Sequence, residues 1–113
     1  MDYASITYSS VTIDNAATTS GEAALSNGQT LVAVFLPAAL TSTTMTFTTA
    51  TASGGTFVPV YDVGGAAAYS ITVGTSRYVP VDPRVFAGIR YLKAVGGSAE
   101  GGIRTITLVV RNV

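Results

Sequence analysis

The sequence predicts an all-β fold, a single-domain β-sandwich of about eight strands spanning residues 1–113. Three observations lead to this prediction. Threonine and valine are abundant, with 17 and 14 copies, and β-branched side chains favour strands over helices. No stretch of helix length keeps a helical period free of glycine, proline or threonine clusters. Turn-forming residues recur about every eight to twelve positions, which is typical of sandwiches and barrels.

The first predicted strand contains two apolar pairs of opposite parity. Ile6 and Tyr8 share one parity, whereas Val11 and Ile13 share the other. If both pairs face the core, the strand must change register between them. We therefore expect a β-bulge at Ser9-Ser10 and one long, bent strand.

A turn followed by a continuous apolar run comes next. Asn27-Gly28 is the strongest turn signal in the chain. The run from Leu31 to Leu36 does not alternate, as expected of a strand that is buried on both faces. It should be a central strand, and Pro37 ends it.

The following segments alternate. From Thr43 to Ala50, Met45 and Phe47 lie on one face and threonines form a ladder on the other. In the strand predicted from Phe57 to Tyr61, Pro59 lacks an amide donor, which favours an edge position.

Two short strands and a helical turn follow. The strands are predicted near residues 69–73 and 77–79. Asp82 suits an N-cap and Pro83 the first helical position, so residues 83–87 should form one short helical turn. Phe86 would anchor the turn in the core, and Gly88 would be its left-handed stop.

The last two strands are predicted from Ile89 to Val95 and from Ile103 to Val110. Residues 96–102, which join them, include four glycines, so we expect this loop to be mobile on its own and to order on contact with a neighbour. About eight strands in two sheets favour a jelly roll. An immunoglobulin-like Greek key is the alternative.

The composition excludes much chemistry. The chain has no His, Cys or Trp, which rules out His/Cys zinc sites, Ser-His-Asp or Cys-His nucleophiles and thiol redox reactions. The six acids are too scattered to form a calcium loop. We expect no catalytic activity, no cofactor and no metal. The sequence has no apolar segment of membrane-spanning length, so we expect synthesis in the cytoplasm and no membrane association.

The charges are few and unevenly distributed along the chain. Six acids balance six bases, but all six bases follow position 76. The chain therefore carries −4 before residue 77 and +4 from it onward. Two oppositely charged faces would favour docking of copies head to tail or onto an oppositely charged surface, whereas pairing of each arginine with an acid from the other sheet would cancel the split. A neutral chain is not suited to nucleic acid. The candidate assembly contacts are Arg77, Arg84, Arg90, Arg104 and Arg111.

Tyrosines accompany two of these arginines. Tyr78 follows Arg77 and Tyr91 follows Arg90, so strand alternation places each pair on opposite faces. We expect the tyrosines to face the core and the arginines to face solvent.

The stretch from Ser76 to Val95, SRYVPVDPRVFAGIRYLKAV, resembles small virion structural proteins of tailed bacteriophages. The similarity extends to GGSAE, to RTITLV at 104–109, and upstream to the Leu-Pro-Ala-Ala-Leu within residues 31–40. The Arg-Tyr-Val and Arg-Tyr-Leu-Lys spacing is also similar to discoidin-like sugar-binding jelly rolls, which suggests the fold only.

The phage resemblance implies a non-enzymatic virion protein made in the host bacterial cytoplasm. The implied role is a capsid cement or decoration protein, a homo-oligomer that binds itself and other virion proteins, with the major capsid protein as the first expected partner. The alternatives are a neck or tail component, or a carbohydrate-binding β-sandwich displayed on the virion.

Overall fold

A computed structural model describes residues 5–26 and 28–112 as nine strands and one helical turn. The strands are β1 Ile6–Ile13, β2 Ala23–Ala24, β3 Gln29–Phe35, β4 Thr44–Ala50, β5 Val58–Pro59, β6 Ser70–Thr72, β7 Tyr78–Pro80, β8 Tyr91–Gly96 and β9 Arg104–Asn112. The helical turn α1 is Pro83–Phe86. The all-β prediction with one short helical turn is confirmed.

The strands form two antiparallel sheets. The first sheet has the order β1-β9-β3-β7, and the second has the order β2-β8-β4-β5, with β6 also paired to β4. Since β5 and β6 lie along the same edge of β4, they act as two pieces of one strand. With β5 and β6 counted as one strand, each sheet has four strands, and the order of the strands is that of a jelly roll.

The core lies between the sheets and is built from aliphatic residues around an aromatic pair. Phe47 of β4 and Phe86 of α1 are fully buried and pack edge to face, with ring centroids 5.1 Å apart. The Tyr69 ring packs against Phe86 at 5.6 Å. The side chain of Asp82 accepts a hydrogen bond from the Arg84 amide, which caps α1 and fixes Phe86 in the core.

Several element predictions are confirmed. β3 lies between β9 and β7, as expected of a central strand. In β4, Met45 and Phe47 are buried while Thr44, Thr46 and Thr48 lie on the opposite face, as the alternation predicted. β5 with Pro59 is an edge strand.

Two local predictions are wrong, and one lies partly outside the described residues. β1 pairs with β9 in one continuous register, so Ser9-Ser10 is not a bulge. α1 ends at Ala87 in right-handed conformation, and Gly88 is not left-handed. Asn27 is outside the described residues, although Gly28 has the positive φ of 79° that a turn glycine adopts.

A buried carboxylate fixes one end of the sandwich. Glu100 is 2% exposed. Its Oε1 accepts hydrogen bonds from the Thr41 amide at 2.7 Å and from Arg104 Nε at 3.0 Å. Its Oε2 accepts from the Ser42 amide at 3.0 Å and from the Ser42 hydroxyl at 2.6 Å. Burial raises the pKa of Glu100, but the hydrogen bonds from Ser42, Thr41 and Arg104 outweigh it and lower the pKa to about 2.

The prediction that residues 96–102 are mobile is therefore wrong. Two of the glycines allow neighbouring side chains to lie close to the backbone. A Cβ at Gly96 would collide with the Ser42 hydroxyl, and a Cβ at Gly97 would collide with the Thr44 hydroxyl. The amide of Glu100 also donates to the Ala17 carbonyl at 3.0 Å. The β1–β2, β3–β4 and β8–β9 connections are thus joined to one another.

We predict that Glu100→Gln removes most of the acid sensitivity of this end of the fold. Because the folded pKa is about 2 and the ordinary value is 4.5, ionised Glu100 stabilises the fold above pH 4.5. This contribution, about 3 kcal/mol, is lost as the pH falls toward 2. Urea denaturation should show that Glu100→Gln lowers the free energy of unfolding by about 3 kcal/mol at pH 7 and by much less at pH 2.5.

The matched control is Glu22→Gln. Glu22 also accepts two hydrogen bonds, from Ser53 and Gly54, but it lies near the surface and holds a single loop. At pH 7, Glu22→Gln should lower the free energy of unfolding by clearly less than Glu100→Gln does. An equal loss for the two variants, or an unchanged free energy in Glu100→Gln, would contradict the assigned role.

Candidate functional site

Three aromatic rings form a cluster on the outer face of the first sheet. Tyr8 of β1, Phe35 of β3 and Tyr78 of β7 are 65%, 42% and 54% exposed. The ring centroids of Tyr8 and Phe35 are 6.3 Å apart, and those of Phe35 and Tyr78 are 4.9 Å apart in an edge-to-face arrangement. We call these three residues the outer aromatic cluster. It crosses all four strands of the sheet, because β9 runs beneath the Tyr8–Phe35 contact.

Small apolar side chains support the cluster from below. Ala33 and Val109 are directly paired, on β3 and β9, and are 0% and 4% exposed. Neither belongs to the core between the sheets. They are therefore buried on the outer face, where exposed sheet surfaces usually carry polar residues. Apolar residues on both faces of β3, together with a register shift between Leu31 and Ala33, account for its non-alternating sequence.

The outer face explains two wrong predictions. Tyr78 was expected to face the core, but it is more than half exposed on the outer face. Ile6, which is 48% exposed, and Tyr8 share that face. Because neither side chain enters the core, β1 does not need a bulge to change register. The signal in the sequence was the opposite parity of the two apolar pairs in β1, which equally indicates a strand with apolar residues on both faces.

Two of the predicted assembly arginines bond to acids close by in the chain. Arg84 Nη2 lies 3.0 Å from Asp82 Oδ2 at the surface, and hydrogen bonds from Arg84 hold the pKa of Asp82 below its usual range. Arg104, whose side chain is 17% exposed, bonds to Glu100. Both acids belong to the C-terminal part of the chain, so these pairs leave the division into −4 and +4 unchanged, and Arg104 is engaged within its own fold.

The other three arginines are spread over the surface and do not form one site. Arg77 packs over Gly74, where a Cβ would lie 2.8 Å from the guanidinium carbon. Arg90 lies 5.7 Å from the Tyr91 ring centroid. Arg111 is exposed on β9, paired with Ile6 of β1 and Thr30 of β3. Arg104 and Arg111 both lie on β9, but only Arg111 shares a face with Val109, two residues along the strand.

A shallow groove lies at the second sheet. Its lining includes Thr49, Thr56, Val58, Ile89 and Arg90. No carboxylate is among the lining residues, so the groove lacks an acid or base pair for hydrolysis. Within residues 5–26 and 28–112, no three acids lie together as a metal-ligand set. In the same residues, no helix has the length and hydropathy needed to cross a bilayer.

The fold and the exposed face define a jelly-roll protein with an aromatic cluster on the outer face of one sheet. The solved structure of the SPBc2 prophage-derived protein YomS shares this fold, with a TM-score of 0.54 and 19% identity over 97% of this chain and 98% of that chain. A structure described as Bacillus endospore appendages that form disulfide-linked pili is also 19% identical, over 99% of this chain and 91% of that chain. Its TM-score is 0.42. No protein-family model matches, and no curated protein does.

We predict that the outer aromatic cluster contributes much less to stability than the core. Phe35→Ala should lower the free energy of unfolding by about 1–2 kcal/mol, because Phe35 is partly exposed and loses two ring contacts. Phe86→Ala, the matched core control, should lower it by about 3–5 kcal/mol. Equal losses in urea denaturation would show that the outer cluster is a second core and not a surface for a partner.

Proposed function

We propose that this chain is a non-enzymatic structural subunit of a phage virion, and specifically a capsid cement or decoration protein. It acts by binding other virion proteins, the major capsid protein first, and by stabilising the shell mechanically. The observation that carries the proposal is the outer aromatic cluster. A contiguous apolar surface on a small protein marks a site of protein contact.

The chemistry of that surface supports a protein partner. Aromatic residues are enriched in the centres of protein interfaces, where charged residues are depleted. The outer aromatic cluster rests on the apolar residues Ala33 and Val109, so it is aromatic and uncharged like the centre of an interface. The chain as a whole has 11% charged residues and zero net charge, so electrostatic repulsion between copies is weak.

The comparison of folds supports a phage setting. YomS is described as prophage-derived, and its fold spans nearly the whole of both chains. The resemblance of residues 76–95 to small virion proteins points the same way. A neck or tail component, present in few copies, is the alternative role within the virion.

A carbohydrate-binding role is the alternative of a different class, and the three exposed rings are the observation in its favour. The arrangement of the rings supports it less well. Phe35 and Tyr78 meet edge to face, with an interplanar angle of 65°, and so do not form a flat platform for a sugar ring. The side chains beneath them are apolar and offer no hydrogen bonds to sugar hydroxyls.

We predict that purified virions contain this chain, as measured by quantitative mass spectrometry. A capsid lattice requires hundreds of copies per particle, because each symmetry-related position is filled, whereas a neck or tail ring requires about a dozen or fewer. Particles that lack the chain should lose their DNA at lower temperature than wild-type particles. Absence of the chain from mature virions would overturn the proposal, and a low copy number would favour the neck or tail.

We further predict that Tyr78→Ser weakens attachment to the shell at least about tenfold, the effect of removing one interface aromatic. The control is Tyr61→Ser, since Tyr61 is equally exposed, at 51%, but lies beyond β5 of the second sheet. Purified variants would be added to particles that lack the chain, and bound copies counted. Equal attachment of the two variants would exclude the outer aromatic cluster from the contact.

A further inference from the structure

β1 is a long edge strand without the features that usually protect a sheet edge. It has eight residues, ITYSSVTI, with no charge and no proline. The other edges are different: β2 and β5 have two residues each, β5 contains Pro59, β6 has three residues, and the three residues of β7 include Pro80. Short strands, proline and charge are the devices that prevent edges from pairing with other chains. Only β1 among these edges lacks all three.

Hydrogen bonds at the two ends of β1 show which backbone groups face outward. The Ser5 carbonyl accepts from the Asn112 amide on the β9 side, at 2.9 Å. The Thr12 carbonyl accepts from the Gly21 amide on the opposite side, at 3.1 Å. Since the register with β9 has no shift, backbone groups alternate without interruption. The outward groups that have no partner within residues 5–26 and 28–112 belong to Ile6, Tyr8 and Ser10.

We infer that β1 is the interface with a second copy of this chain, paired antiparallel to its own β1 about a two-fold axis at Tyr8. In this register Tyr8 faces Tyr8 of the partner subunit, and Ile6 faces Ser10 of the partner subunit. Each pair exchanges two backbone hydrogen bonds, so about six form in total. The pattern is self-complementary, as a two-fold interface requires.

The side chains on the outer face fit the same pairing. Tyr8 lies at the β1 end of the outer aromatic cluster, 6.3 Å from Phe35. Across the two-fold axis, the two Tyr8 rings become neighbours on one face, since facing residues in antiparallel strands have side chains on the same side. The two clusters therefore join into one apolar strip, which extends the surface assigned to the shell.

Charge does not oppose the pairing. Arg111 is the charged residue whose strand position is beside Ile6. In the paired sheet the two copies of Arg111 are four residues apart along the strands and three strand spacings apart across them. That separation is about 20 Å, twice the Debye length at ordinary salt. Like-charge repulsion between them is therefore small.

The predicted dimer is weak in isolation. One strand pair with two tyrosines buries less than the roughly 1,200 Å² of a stable complex, so we expect the dimer to form only at high protein concentration. In an assembly of many copies, each contact is strengthened by the others. The inference concerns the chain by itself and applies whichever structure the chain enters.

Sedimentation of the purified full-length chain from about 5 μM to 1 mM tests the inference. Ser10→Pro removes one outward amide and no amide that faces β9, and proline is tolerated at sheet edges. We expect wild type and the control Ser10→Ala to dimerise with increasing concentration, and Ser10→Pro to dimerise at least about tenfold more weakly. A monomeric wild type at all concentrations, or equal dimerisation of the two variants, would overturn it.

A cysteine cross-link tests the register and does not depend on Ser10→Pro folding. The chain has no cysteine, and facing hydrogen-bonded residues have Cα atoms about 5.5 Å apart, within disulfide range. Tyr8→Cys should form a disulfide-linked dimer under mild oxidation. Tyr78→Cys, similarly exposed on the far edge of the sheet, should remain monomeric. Equal cross-linking of the two variants would contradict the β1 pairing. It would not affect the proposed role in the virion, which is tested separately by mass spectrometry of virions.

Discussion

The ionised carboxylate of Glu100, buried and bonded to Ser42, Thr41 and Arg104, is the interaction that joins the connections between the two sheets. The β1–β2, β3–β4 and β8–β9 connections all pass between the two sheets, and Glu100 or its neighbours hold them together. Because a buried charge is tolerated only when its hydrogen bonds are complete, the loops must adopt one arrangement.

The sequence predicted elements well where one face of a strand meets the core and the other meets water. β4 is such a strand, and Met45 and Phe47 were assigned correctly from alternation. Prediction failed in β1 because alternation shows that two sets of side chains lie on opposite faces, but not which face is the core. Apolar residues on both faces were therefore interpreted as a change of register. The same two-sided character, in β3, was correctly interpreted as a central strand.

The remaining failures came from contacts between distant parts of the chain. The glycines of residues 96–102 indicated freedom of the backbone, yet Gly96 and Gly97 are small because side chains of the β3–β4 region pack against them. The division of charge along the sequence likewise did not predict that Arg104 would be engaged by a buried acid. Spacing alone cannot identify such partners, since Ser42 and Glu100 are 58 positions apart. The candidate site was missed for the same reason, because Tyr8, Phe35 and Tyr78 come together only in the folded sheet.

The fold thus places a fully hydrogen-bonded ion pair inside and a cluster of three aromatic rings outside, both of which are uncommon in an ordinary small domain. A neutral protein with few charges and an exposed apolar patch is poorly protected against association. The unprotected edge strand β1 lies next to that patch. Its backbone hydrogen bonds are directional, so they would fix the orientation of a partner that apolar burial alone would not fix. Tyr8 belongs both to the outer aromatic cluster and to the β1 edge. In the proposed dimer, burial of the Tyr8 ring therefore accompanies the pairing of the two β1 strands in a fixed register. The proposed attachment to the shell and the proposed pairing of two copies therefore use adjoining parts of the same sheet.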